Sequence, residues 1–159
     1  MSSKEALIEA LSLKDVIRAG WLRSGVEFPE SVASHSWGMA FIASQICPAE
    51  LDKLRVLEMC IVHDLAEVKV GDITPHDGIS VEEKHALESE AIDSMEVTEK
   101  TRQLFEEYET QSTPESKFVR FLDKLDMALQ AEIYEKKGMD LSEFKKTAIS
   151  LAEQYGFEW

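Results

Sequence analysis

Cysteine is almost absent from this chain: Cys47 and Cys60 are the only two, with no CxxC pair and no second cluster. That excludes a cysteine-rich zinc site and leaves a poor disulfide framework for an extracellular domain, so two buried reduced thiols are expected. Basic residues are scarce as well. Lys and Arg number 17 against 31 Asp and Glu, a formal net charge of −14. A surface that negative repels polyanions and lacks the attraction on which nucleic-acid binding rests, so no DNA or RNA polymer is expected as a partner. A small phosphorylated substrate is compatible if cations gather locally, and a bound divalent ion can supply much of that charge. No apolar run approaches the roughly 18 residues of a membrane span. The start, MSSKEALIEALSLKDVIRAG, mixes charges among its apolar residues, unlike a secretory leader. An intracellular, cytoplasmic protein with no membrane partner is expected. Strand-like alternation, internal repeats, low-complexity tracts and linkers are also missing.

What is present is a chain of 159 residues, 44% apolar and 30% charged, enough for one core. Helical periodicity dominates, and the expected fold is all-α: a single compact bundle of about six or seven helices forming one domain over residues 1–159. The helices are expected near 4–18, 31–46, 49–69, 81–95, 98–110, 114–137 and 140–155. Ser2-x-x-Glu5, Ser80-x-x-Glu83 and Ser112-x-x-Glu115 have capping-box spacing, and Pro48 and Pro114 suit first-turn positions. Two connections, GWLRSGVEFPE (20–30) and VGDITPHDGIS (70–80), are rich in Gly, Pro and polar residues, the composition of loops that carry binding groups.

The segment LDKLRVLEMCIVHDLAEVKV reads as one amphipathic helix, with Leu54, Leu57, Ile61, Leu65 and Val68 as its apolar stripe. Into it fall His63, Asp64 and Glu67, whose spacing lets them converge on one side of a helix. A bare His-Asp dipeptide arises by chance in about one such chain in four, and a solvated helix face is the plain alternative. Company strengthens the signal. His35 and Asp123 also sit inside apolar helical patterns, and ligands from separate helices can meet in a bundle core. Two imidazoles and two carboxylates suit a divalent ion such as Mn, Co, Mg, Fe, Ni or Zn, with coordination positions left for water and a phosphate oxygen. Asp126, one turn after Asp123, rivals it or takes a supporting or merely solvated role. His76 and His85 read as solvated, and EKTRQLFEEYET as a solvated amphipathic helix without chemistry. Lys69 and Lys124 flank the proposed site and can add positive charge.

The order His35, His63-Asp64, Asp123 resembles the H…HD…D signature of the HD-domain superfamily of metal phosphohydrolases. The segments GWLRSGVEFPESVASHS and HDLAEVKVGDITP resemble its 5′-deoxynucleotidase branch, which hydrolyses deoxyribonucleoside 5′-monophosphates to nucleoside and phosphate, and the likeness runs from about residue 13 to 137. The resemblance implies that His35, His63, Asp64 and Asp123 hold one divalent metal ion. It implies that Glu67 is the catalytic acid–base residue acting on the nucleophile or the leaving oxygen, and that Asp72 reads the sugar 3′-hydroxyl. Arg18 and Trp21 would hold phosphate and sugar, with Arg23 as the alternative to Arg18. Thr74 is a further candidate substrate contact in the Asp72 loop. Family likeness and the Leu- and Phe-bearing C-terminal segment also suggest a homodimer. The rival readings are another activity on the same metal site, acting on a cyclic nucleotide, a nucleoside triphosphate or an alarmone; a non-catalytic helical binding or regulatory module whose metal site is vestigial; and a purely structural helical partner protein.

Overall fold

The protein is described by a computed structural model over residues 3–159. Nine α-helical segments account for most of it, joined by short 3-10 turns. Helix α1 spans Lys4–Leu11, α2 Ala19–Arg23, α3 Val32–Ile46, α4 Lys53–Val62 and α5 Glu67–Val70. Then follow α6 Val81–Ser94, α7 Glu99–Thr110, α8 Pro114–Glu135 and α9 Lys146–Ala152. No strand forms among the described residues beyond an isolated antiparallel bridge between Ile17 and Ser31. The all-α bundle is therefore as expected, and the two helices beyond seven are α2 and α5. Among the described residues no helix is long and apolar enough to cross a membrane.

Local chemistry explains most of the boundaries, and corrects some of them. Ser80 and Glu83 form the expected reciprocal capping box of α6, and Pro114 opens α8 where its missing N–H costs nothing. Ser2 lies outside the described residues, and the cap of α1 is Ser3, whose Oγ accepts from the Ala6 N–H at 3.1 Å. Ser112 is displaced by its neighbour: Thr113 caps α8 in a box with Ser116, while the Glu115 carboxylate accepts from the Asp52 N–H at 3.1 Å. Pro48 sits in a connection and not in a first turn, because α4 starts only after its own cap, Asp52. The expected helix 4–18 gives way to a 3-10 turn at Ser12–Asp15, and that expected at 140–155 is α9 flanked by two such turns. Residues 20–30, expected as loop, wind into α2 at their start.

The expected continuous helix 49–69 breaks at Val62. The His63 Nδ1–H donates to the Cys60 carbonyl at 2.9 Å, the acceptor that an uninterrupted helix offers to Asp64 N–H. Beyond it the backbone bonds tighten to three-residue spacing, Leu65 to Val62 at 3.0 Å and Glu67 to Asp64 at 3.0 Å. Helix α5 then ends at Gly71, whose φ of 75° is cheap for glycine only. The apolar stripe also lies elsewhere than expected: Leu54 is 64% exposed and Ile61 58%, whereas Val56, Met59 and Cys60 are fully buried. Apolar residues occur on several faces of α4, and its packing against α3, α7 and α8 decides which are covered.

Helix α8 is the central pillar. Its Phe118, Val119, Phe121, Leu122 and Leu125 pack with Met39 and Ala43 of α3, with the buried face of α4, and with Leu104 of α7. Tyr155 stacks on Phe121 at 4.8 Å between ring centroids, tying the C-terminal segment to the same core. Each buried large side chain contributes about 1.5–3 kcal/mol through removal of apolar surface from water. Phe121→Ala leaves a cavity at this junction and should lower unfolding free energy by about 3–5 kcal/mol, read as a lower urea midpoint; a change under about 1 kcal/mol would contradict this packing.

Candidate functional site

Three chain segments converge where α3, the turn after α4, and α8 meet. His35 is fully buried on α3, and α8 brackets its imidazole with two carboxylates: Asp123 Oδ1 lies 3.1 Å from Nε2 and Asp126 Oδ2 lies 2.6 Å from Nδ1. The turn after α4 presents His63 and Asp64, with Nε2 and Oδ2 3.0 Å apart. The two imidazole rings are 5.7 Å apart, and ligand atoms of His35, His63 and Asp64 all lie within 4.8 Å of one another. The tightened backbone at 63–66 serves this convergence.

Both Nε2 atoms are buried without a hydrogen-bond partner, although the carboxylate oxygens stand close enough for ion pairing. The approach is off the direction that a ring N–H···O bond requires. Each Nδ1 is already engaged, by Asp126 for His35 and by the Cys60 carbonyl for His63. A neutral imidazole with its proton on Nδ1 directs a lone pair from Nε2. Two such lone pairs facing a shared space beside carboxylates fit a divalent cation, which satisfies atoms otherwise costly to bury.

Electrostatics follow from burial and mutual proximity. Burial raises the Asp64 carboxyl, but His63, His35 and Arg18 overcome it and hold the group well below the usual carboxylate range. Asp123 is likewise held low against burial by Lys124, His35 and Arg18. Glu67 goes the other way. It is 2% exposed with Oε2 unpartnered, and burial, then Asp64 and Asp72, push its carboxyl far up, so the neutral acid is favoured. For His35, burial and Arg18 pull the imidazole down, but the adjacent carboxylates of Asp123 and Asp126 outweigh them and raise it to about 9.

An open cleft of about 570 Å³ leads to this cluster, with Asp64, Glu67 and Asp123 on its lining. The geometry favours Arg18 over Arg23: the Arg18 Nη1 comes within 3.9 Å of Asp64 and its side chain is only 11% exposed. Paired backbone bonds, Arg18 N–H to the Glu30 carbonyl at 3.1 Å and Val32 N–H to the Val16 carbonyl at 2.8 Å, anchor the start of this loop. Arg23 is half-exposed at the rim and paired with Asp77. Trp21 lines the cleft as a buried wall residue, its Nε1–H donating to Glu30 at 3.0 Å and its ring packed against Phe144. Asp72 also lines the cleft, and one of its oxygens accepts from the Ala19 N–H at 2.7 Å. Thr74 lies on the lining too, and caps the 3-10 turn Pro75–Asp77.

Several lining residues had not been singled out for the site. Lys84 and Glu88, four apart on α6, pair at 3.4 Å, and burial raises Glu88 to about 7 against the pull of Lys84. Their helical spacing was the available signal. Tyr108 sets its ring edge-on to His63 at 4.9 Å, so α7 is not the bystander expected. Arg120 completes the wall. Asp126 is no solvated residue, being 9% exposed and bonded to His35. His85 is held by Glu109 at 2.9 Å. Lys124 does bring charge, reaching Asp123 at 2.7 Å, whereas Lys69 is tied to Glu9.

A helical bundle closed around a metal-competent imidazole–carboxylate cluster is the architecture of a recognisable class of all-α domain. The chain belongs to the HD-domain family, whose sequence pattern matches residues 10–155, and within it to a 5′-deoxynucleotidase-like branch. It is 43% identical over 145 residues to the 5′-deoxynucleotidase hdd1 of Schizosaccharomyces pombe, covering 83% of this chain and 73% of that one. It is 45% identical over 129 residues to the 5′-deoxynucleotidase HDDC2 of Homo sapiens, covering 77% of this chain and 63% of the human one. The chain thus spans a little under two thirds of the human relative. Among solved structures, a conserved hypothetical protein from Pyrococcus furiosus superposes with a TM-score of 0.82 at 36% identity, covering 96% of this chain and 93% of the other.

A pH dependence follows. The folded state binds the His35 proton more tightly than the ordinary value of 6.5, so that contribution to stability is complete below pH 6.5 and is lost as pH rises through about 9. The buried neutral Glu67 acts with the same sign. Metal-stripped protein should therefore melt at lower temperature as pH rises across this window. A divalent ion bound by this cluster would replace the proton, so the thermal shift on adding Mn²⁺ should be larger at about pH 8 than at about pH 6. A shift larger at the acidic pH would contradict the assignment.

Proposed function

We propose that the chain is a single HD-type domain that hydrolyses nucleoside 5′-monophosphates, deoxyribonucleotides among them, to nucleoside and phosphate. His35, His63, Asp64 and Asp123 are its metal ligands in this reading. The observation that carries it is the pair of buried, unpartnered Nε2 atoms beside two carboxylates at the floor of a cleft that five cationic side chains line. The 5′-deoxynucleotidase activity for which the relatives are named supplies the substrate class.

A divalent ion held by those four side chains supplies Lewis acidity toward a phosphate oxygen and toward the attacking water. Arg18 faces the same floor and stays charged: burial opposes it, but Asp64, Asp123 and Asp72 more than offset that. It is suited to clamp the phosphate and to balance charge that builds as the P–O bond breaks. Glu67, favoured in its neutral form, donates its proton to the departing 5′-oxygen; water adds to phosphorus, and a proton from that water returns to Glu67. Every atom is then accounted for, and no covalent enzyme intermediate is needed. Asp72, with one oxygen engaged by the Ala19 N–H, can accept a sugar 3′-hydroxyl at its other. Trp21 and Thr74 contribute wall and rim for the sugar.

Glu67→Gln should lower phosphate release about 10²–10⁴-fold while metal content stays unchanged; retained turnover would remove Glu67 from the chemistry. Phosphate release from a panel of ribo- and deoxyribonucleoside monophosphates, with Mn²⁺, Co²⁺ or Mg²⁺, tests the reading as a whole. Exclusive turnover of triphosphates, cyclic nucleotides or alarmones would replace it, and metal binding without any turnover would leave a regulatory module. Asp72→Ala should act mainly on KM, for ribo- and deoxyribonucleotides alike, because both carry the 3′-hydroxyl.

A further inference from the structure

We propose that Asp126 is a positioning residue that fixes the tautomer and orientation of His35, and that position 38 is glycine so that this carboxylate can be seated. The proposal rests on the metal reading above and deepens it. Asp123 and Asp126 lie three residues apart on α8, so both project toward α3, one to each nitrogen of the same imidazole. The Asp126 Oδ2 is 2.6 Å from Nδ1, inside hydrogen-bond distance, and both partners are buried. By accepting a hydrogen bond from Nδ1–H, Asp126 keeps the proton on Nδ1 and leaves Nε2 with the lone pair turned toward His63 and Asp64. A ring left free to rotate or to exchange tautomers would present that lone pair only part of the time.

The seat of the carboxylate is unusual. His35 and Gly38 share a face of α3, and a Cβ built on Gly38 would stand 2.0 Å from Asp126 Oδ1. Glycine inside a helix is about 1 kcal/mol less favourable than alanine, and Gly38 has no positive φ that would require it. The close approach of the Asp126 carboxylate to the α3 backbone supplies the reason. Behind it, Glu30 lies with His35 and Asp126 in a second close cluster. Glu30 is itself held by Trp21 Nε1–H at 3.0 Å, and its backbone N–H donates to the Tyr134 hydroxyl at 2.9 Å. The support of His35 thus extends to the aromatic wall of the cleft.

The test is Co²⁺ binding to metal-stripped full-length protein, followed by calorimetry and by the visible absorption of the bound ion. Wild type should take up one equivalent. Asp126→Ala should bind about 10–100-fold more weakly, Asp126→Asn should recover part of the loss because its amide oxygen can accept the same proton, and kcat at saturating Co²⁺ should recover in part. Gly38→Ala pushes the carboxylate from its seat without touching a proposed ligand. It should weaken Co²⁺ binding in the same direction while helicity by circular dichroism is kept, and it stands in if Asp126→Ala does not fold. Wild type binding no Co²⁺ would sink the metal reading. Wild type binding one equivalent, with Asp126→Ala or Gly38→Ala binding it equally tightly, would overturn the positioning role alone. A second equivalent lost in Asp126→Ala would also overturn it, by making Asp126 a ligand.

Discussion

Two imidazoles are buried with their Nε2 atoms unpaired, and the rest of the molecule is arranged to make that tolerable. An unsatisfied buried polar atom costs about 1–3 kcal/mol, and a bundle that carries two of them side by side holds them for something other than stability. His35 is gripped from α8 and His63 from its own backbone, so each ring has a fixed donor side and a fixed acceptor side. Helix α8 carries this arrangement because it also carries the core: Phe118, Phe121 and Leu125 are buried along the same helix whose Asp123 and Asp126 reach His35. Packing precision is thereby passed on to ligand geometry.

Charge distribution resolves an apparent conflict. A chain with a net charge of −14 is a poor receptor for phosphate unless its cations are concentrated, and Arg18, Arg23, Lys84, Arg120 and Lys124 line one cleft. Their fields oppose the acidic floor locally, while the outer surface remains repulsive to polyanions. The same local field separates the carboxylates into two kinds. Asp64 and Asp123, close to imidazole and cation, stay ionised, whereas Glu67, buried next to other carboxylates, is favoured as the neutral acid. Environment alone divides chemically similar groups into two that stay ionised and one held neutral.

Much of this was legible in the residue order. The all-α class, the positions of α3, α6, α7 and α8, and the grouping of His35, His63, Asp64 and Asp123 all follow from periodicity, capping chemistry and the company each polar residue keeps. The covered face of α4 was not legible, because Leu54 and Ile61 are as apolar as Val56 and Met59, and only the neighbouring helices distinguish them. Nor was the break at Val62. Periodicity continues through it, and the donor that competes for the Cys60 carbonyl is a side chain, His63, whose rotamer depends on the site.

The place of Tyr108, Lys84 and Glu88 on the cleft wall was hidden for a similar reason: amphipathic helix residues announce a face, not what the face looks at. The linear order of residues determined the fold class, the metal-competent set and the acidic surface, since these depend on residue type and on spacing along one helix at a time. Tertiary structure alone decided that Arg18 and not Arg23 reaches the floor, that Asp126 holds His35, and that Gly38 makes room for it. Those outcomes turn on separations of a few ångströms between helices distant in sequence, set only when the whole core packs.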